Sequence, residues 1–286
     1  MTRALAFLLL AAAALAADPE GVTVTGPERD AAKGVDVLQV ASPYTGGSNK
    51  VEILLPDKLE PGKTYPVLYL LPVGGDFGGK YGDQVQEVRK ANAHNRHGLI
   101  AVSMAFDAMP WYGAHATDQR IRHEDYIIKA ILPVIEARYP ASPLAKDRML
   151  IGFSKSGFGA VNLLLRNLSV FGLACSWDAP LAFGVNDFGQ VGTRPHFGTA
   201  EQMATYIPGE LAAQHAAELT GKPTRLVILG KSVWGKSVEK FHRRLEELAI
   251  PHRYDDTLTG EHSWSSGWVG KAVDMLAELR KAEAKP

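Results

Sequence analysis

Five residues, Gly152-Phe153-Ser154-Lys155-Ser156, are the ones whose types and spacing could do chemistry. A short apolar run ends at Gly152, and a helix-like pattern follows Ser154. A serine on a sharp strand-to-helix turn is a nucleophile elbow, written G-x-S-x-G, and here the last glycine has become Ser156. The turn is tight, so the residues two positions either side of the serine must be small. Such a turn lifts the Ser154 hydroxyl to the edge of a sheet and aims the Lys155 amide at a bound carbonyl. It also sets the positive end of a helix beside developing negative charge. An ordinary turn rich in small residues would spell the same pattern, so the partners must decide.

A serine hydroxyl needs a base, and histidine is the usual one near neutral pH. Behind an elbow of this kind the order along the chain is serine, acid, histidine. Of nine histidines, only His262 lies beyond the last strand-like run and ahead of the final helix, in Gly260-Glu261-His262-Ser263-Trp264. The acid is harder to find. The segment after the run 225–229 is Gly230-Lys231-Ser232-Val233-Trp234 and holds no carboxylate. One run earlier, 173–177 leads into Asp178-Ala179-Pro180, which makes Asp178 the first choice over Asp255, Asp256 and Glu239. Asp178 would accept the His262 N–H, fix its tautomer and stabilise the imidazolium; the alternative is an Asx turn ahead of Pro180. A second oxyanion donor is expected from Pro72-Val73-Gly74-Gly75, with the Gly74 amide first and Val73 as alternate. Trp177, Trp234 and Trp264 lie beside these loops as candidate substrate-binding residues, or as residues that pack the loops.

The elements around these residues alternate. Apolar runs at 65–71, 99–104, 149–153, 173–177 and 225–229 suit strands covered on both faces, with a weaker one at 253–257. Residues 35–40 and 50–55 suit a hairpin joined by the turn 44–49. Helical spacing appears at Tyr126 to Ile135, where Pro133 should kink the helix, and again after the elbow, at Phe241 to Leu248 and at Trp268 to Leu279. The pattern predicts one α/β domain over 35–282, with a mostly parallel sheet, helices on both faces and an antiparallel N-terminal edge. Residues 17–34 are expected to be flexible. Residues 181–222 break the rhythm and predict a cap-like insertion over the site.

Lys plus Arg equals Asp plus Glu, at 31 each in 286 residues, so no basic excess points to nucleic acid. Met1-Thr2-Arg3, the apolar run 4–14 and Ala14-Leu15-Ala16 form a signal peptide over 1–16, which predicts a periplasmic or extracellular protein without a stable membrane anchor. The single cysteine, Cys175, is expected to be a buried small hydrophobe. His94 and His97 are spaced H-x-x-H but lack a third ligand pattern, so they predict a solvated helix end, with no metal and no cofactor.

The chain resembles the esterase D / putative esterase family of α/β-hydrolases, which also includes feruloyl esterases and mycolyltransferases. The resemblance rests on Tyr65-Pro66-Val67-Leu68-Tyr69-Leu70-Leu71, on Ile135-Glu136-Ala137-Arg138-Tyr139-Pro140, on Ile151 to Ser154 with Gly157-Phe158-Gly159-Ala160, and on Gly260 to Trp264. It implies an α/β-hydrolase fold and serine–acid–histidine catalysis on carboxylic esters. Three positions depart from the family: Pro72-Val73 stands for His-Gly, Ser156 for glycine, and the usual acid position is vacant. The first expectation is an exported hydrolase of small-molecule or carbohydrate-linked esters, acting through an acyl-enzyme on Ser154. An acyltransferase of the mycolyltransferase type and a non-catalytic binding protein on the same fold are the alternatives.

Overall fold

The computed structural model describes residues 18–75, 79–106 and 108–283. The signal peptide expected over 1–16 lies outside them. Nine strands form one sheet in the order β1-β2-β3-β5-β4-β6-β7-β8-β9. They are β1 (Thr23–Asp30), β2 (Val35–Ala41), β3 (Ser48–Leu54), β4 (Val67–Leu70), β5 (Ile100–Met104), β6 (Arg148–Phe153), β7 (Leu173–Trp177), β8 (Leu226–Leu229) and β9 (His252–Asp255). From β5 to β9 all neighbours run parallel, and β1, β2 and β3 add an antiparallel edge.

Strand alternation sorts the central side chains onto two faces. On one face Val67, Tyr69 and Leu150 join Ala160, Val161 and Leu164 of the helix Ser154–Arg166 and Phe241 of the helix Gly235–Glu247. On the other, Leu68, Leu70, Met149 and Ile151 meet Val85 and Val88 of the helix Gln84–Lys90 and Ala272, Val273 and Leu276 of the helix Val269–Glu283. Burial on both faces is why these strands are continuous apolar runs. Cys175 is buried among them, and burial pushes its thiol pKa up.

Two expectations about the elements change. Residues 17–34 are not simply a flexible lead: Thr23–Asp30 is the edge strand β1, paired with β2 through a register shift between Thr25 and Glu28. Its side chains are mostly exposed, so no apolar pattern marks it. The kink at Pro133 is a widened π-helical turn, Tyr126–Ile131, that leads into the helix Leu132–Arg138 with proline in its first turn. The helical path is continuous from His123 to Arg138, and just before the proline the Leu132 N–H donates to the Ile127 carbonyl five residues back, so the wide turn is where the helix absorbs a residue without an N–H.

Between β7 and β8 the insertion folds as short helices, Thr193–Phe197, Ala200–Ala204, Pro208–Gln214 and Ala216–Leu219. Phe183, Phe197, Met203, Tyr206 and Ile207 pack on Phe158 of the elbow helix and on Trp111. The insertion therefore has an apolar floor of its own beside the carboxyl end of β6. No helix among the described residues is long and apolar enough to cross a membrane.

Candidate active site

Strand β6 passes directly into the helix Ser154–Arg166, and Ser154 takes up the whole change of direction, with φ +53°. A non-glycine residue in the left-handed region is strained, and such strain concentrates at functional turns. The small neighbours are obligatory. A Cβ on Gly152 would stand 2.2 Å from the Ser156 carbonyl oxygen, and one on Gly157 would stand 2.5 Å from Ser176 Oγ. Ser156, where a glycine was expected, fits because its hydroxyl is used: Oγ accepts from the Phe153 N–H at 3.0 Å and donates to the Phe153 carbonyl at 2.8 Å. The serine thus ties the turn closed.

Asp178, at the carboxyl end of β7, also has positive φ, +43°, and its side chain is fully buried. Its carbonyl accepts the Ser154 N–H at 3.2 Å, so the two turns are bolted together. Its carboxylate accepts three backbone N–H groups, from Ser232 at 3.1 Å, Val233 at 3.0 Å and Trp234 at 2.7 Å. The loop after β8 that lacks an acid supplies amides to an acid on the neighbouring strand. The same carboxylate lies 2.6 Å from His262 Nδ1. An ionised carboxylate only accepts, so Nδ1 carries the proton and Nε2 is left as the basic nitrogen. This is the arrangement that orients an imidazole and stabilises its charged form.

The His262 ring packs edge-on against Phe153, with centroids 5.0 Å apart, and against Tyr81 at 6.2 Å. Its loop is held to Tyr81, whose carbonyl accepts the Trp264 N–H at 2.8 Å and the Ser263 hydroxyl at 3.0 Å. Ser154 Oγ makes no hydrogen bond among the described residues, although the histidine packs on the residue just before it. Asp255, Asp256 and Glu239 are engaged elsewhere, with Lys271, Lys231 and Arg243.

On the expected oxyanion side, Leu71 donates to the Ile151 carbonyl at 3.0 Å, which sets the segment 72–75 beside the elbow. Phe106 donates to the Gly75 carbonyl at 2.7 Å, and a Cβ on Gly75 would stand 2.6 Å from the Phe106 carbonyl oxygen. The Tyr112 hydroxyl donates to the Pro72 carbonyl, and its ring lies where a Cβ of Gly159 would be, 2.1 Å away. Tyr112 therefore spans from the elbow helix to the segment carrying Val73 and Gly74. No sequence signal marked it, since the contact depends on a residue with a buried ring and φ +58° in an irregular segment.

Of the two readings of the tryptophans, Trp177 and Trp264 fit packing. Trp177 and Trp264 are each 1% exposed and stack on Trp268, at 5.2 Å and 5.0 Å. They brace the floor beneath His262 and present no surface to a substrate. Trp234 is half-buried against Phe183 at 5.5 Å, and its backbone serves Asp178. The H-x-x-H pair is also not a plain solvated end: His94 is buried, and His97 Nε2 lies 2.6 Å from Asp274.

Comparison with known proteins agrees with this architecture. Esterase Rv1288 of Mycobacterium tuberculosis (strain H37Rv) is 30% identical over 155 residues, 51% of this chain and 32% of the relative, so the chain spans about a third of that protein's length. Among solved structures, the fluorophosphonate-binding serine hydrolase FphF of Staphylococcus aureus superposes with a TM-score of 0.69 at 18% identity, covering 84% of this chain and 97% of that one. MPT51 (FbpC1) of Mycobacterium tuberculosis gives 0.67 at 19% identity, covering 87% and 98%. A ferulic acid esterase gives 0.65 at 16% identity, covering 91% and 98%. These likenesses establish the α/β-hydrolase fold. Residues 42–240 match the family described as "Putative esterase", and the chain belongs to that family.

Proposed function

We propose that this protein is a serine esterase that cleaves carboxylic esters through an acyl-enzyme on Ser154. The observation that carries the reading is the Asp178 carboxylate, fully buried, held by three amides and 2.6 Å from His262 Nδ1. A buried carboxylate is costly unless it is well hydrogen-bonded, and here it is directed onto a histidine beside a strained serine. In the proposed cycle a bound ester brings Ser154 Oγ and His262 Nε2 into line, as catalytic contacts often tighten only in the complex. Nε2 takes the hydroxyl proton as Oγ attacks the carbonyl carbon. The Lys155 and Gly74 amides receive the oxyanion. The tetrahedral intermediate collapses, the C–O bond to the alcohol breaks, and the imidazolium returns the proton to the leaving oxygen. Water then repeats the steps and releases the acid.

We further propose that the protein acts outside the cytoplasm, on the strength of the charged start, apolar run and small-residue site in residues 1–16. The test of the enzymatic reading is covalent labelling with a fluorophosphonate, read by intact mass and peptide mapping. One adduct on Ser154, absent in Ser154→Ala and after heat unfolding, is expected. A folded protein that stays unlabelled and hydrolyses no short-chain ester would leave a binding protein on this fold.

A further inference from the structure

Lys155 does more than lend its amide. The residue is only 9% exposed, in the first turn of the elbow helix and next to the serine. Among the described residues it makes no ion pair and no side-chain hydrogen bond. Its one recorded partner is the Trp111 ring, with Nζ 5.8 Å from the centroid. Trp111 is itself 1% exposed, and its Nε1–H is buried with no acceptor among the described residues. The two side chains thus offer an ammonium and an indole N–H, both donors, with no acceptor for either among the described residues. The buried carboxylate of the site described above is already committed: Asp178 holds His262 and three amides. Burial disfavours an ammonium, and it pulls the Lys155 pKa down to about 8. At neutral pH it still carries mostly positive charge beside the positive end of a helix. Such a pair of donors is complementary to an anion.

We propose that Lys155, with Trp111 beneath it, selects esters that carry an anionic group near the scissile carbonyl. The inference rests on the esterase reading above and names a substrate class for it. The anion could enter on either side of the ester bond, as a second carboxylate on the acyl group or as a charge on the alcohol, and the chemistry of recognition is the same.

The experiment compares kcat/KM for matched pairs with a common leaving group: 4-nitrophenyl half-esters of C3 to C6 dicarboxylic acids against the corresponding ω-methyl diesters. A second arm uses acetyl esters of 4-hydroxybenzoate against those of its methyl ester. We expect wild type to favour the anionic member of at least one arm by about tenfold to a hundredfold, the range of a charge-assisted hydrogen bond. That ratio should fall towards one in Lys155→Met and survive in Lys155→Arg. Using the ratio removes any change in absolute rate. A second measurement needs no variant: the free dicarboxylates should compete with a neutral ester, and their diamides should not. Ser154 labelling with equal rates in both arms, or a preference that Lys155→Met leaves intact, overturns this inference alone. No labelling and no hydrolysis overturns the esterase reading and this inference with it.

Discussion

His262 and the stacked pair His123 and His196 all follow strands of the same sheet and differ in what their rings face. His262 faces a carboxylate, with Nδ1 2.6 Å from Asp178, and its side chain is 19% exposed. His123 is fully buried, with neither ring nitrogen hydrogen-bonded among the described residues. It stacks on His196 at 5.4 Å with an interplanar angle of 10°, and His115 stands edge-on to His196 at 5.4 Å. Phe106 closes the other side of His123 at 4.9 Å. Burial holds the His196 pKa down to about 4, with the His115 charge adding to it, and drives His123 well below the usual histidine value. The stacked pair is therefore neutral aromatic packing that ties the segment after β5 to the insertion. Burial alone makes an imidazole inert; a committed carboxylate makes it a base.

The largest break in this contrast is Asp178→Asn, which takes the carboxylate from behind His262. Turnover of a short ester should fall about 10⁴-fold, the scale for loss of a triad acid. Circular dichroism should be unchanged, since an amide oxygen in place of Oδ1 can still accept from Ser232 and Trp234. Turnover within a few-fold of wild type would strip Asp178 of the role.

A smaller effect tests the other group. A base whose folded pKa lies below its unfolded value refuses a proton that the unfolded chain accepts. Stability is then lost as pH falls from about 6.5, the ordinary value, to about 4, the value for His196. The loss attributable to His196 is at most about 3 kcal/mol. Thermal unfolding at a series of pH values should show a shallower decline for His196→Phe than for wild type across that window. Parallel declines would mean that the pair is not held neutral by the fold.

The smallest effect concerns the turn that supports the His262 ring. Ser156→Gly removes both hydrogen bonds to Phe153 and frees the backbone. It should cost about 1–2 kcal/mol in denaturant unfolding and lower turnover by less than about tenfold. A more stable variant would show that the serine is not tying the turn.

Much of the fold was legible in the sequence because the central strands are buried on both faces and must be apolar throughout. Strand β1 was not, because an exposed edge strand has no apolar side to keep, and its irregular pairing leaves no alternation to find. At the site, the elbow announced itself through Gly152, where a Cβ would collide with backbone that cannot move aside. The sequence left the tryptophans between two readings, because nearness in sequence to a loop does not say which face of the sheet a ring turns to. Trp177 and Trp264 turn into the core. Trp111, Tyr112 and the histidine stack were silent, since each gains its meaning from a partner many residues away.

The sequence by itself determined where a tight turn with a serine at its apex could form, between β6 and the helix after it, because the constraint is local and steric. Which acid stands behind His262 was decided only in three dimensions. Asp178 and His262 are 84 residues apart, and the three amides that hold Asp178 come from a loop 54 to 56 residues away. Those distances close because β7 and β8 are neighbours in the sheet. Local sterics can be read one residue at a time, whereas the partnership of a buried charge is a property of strand order.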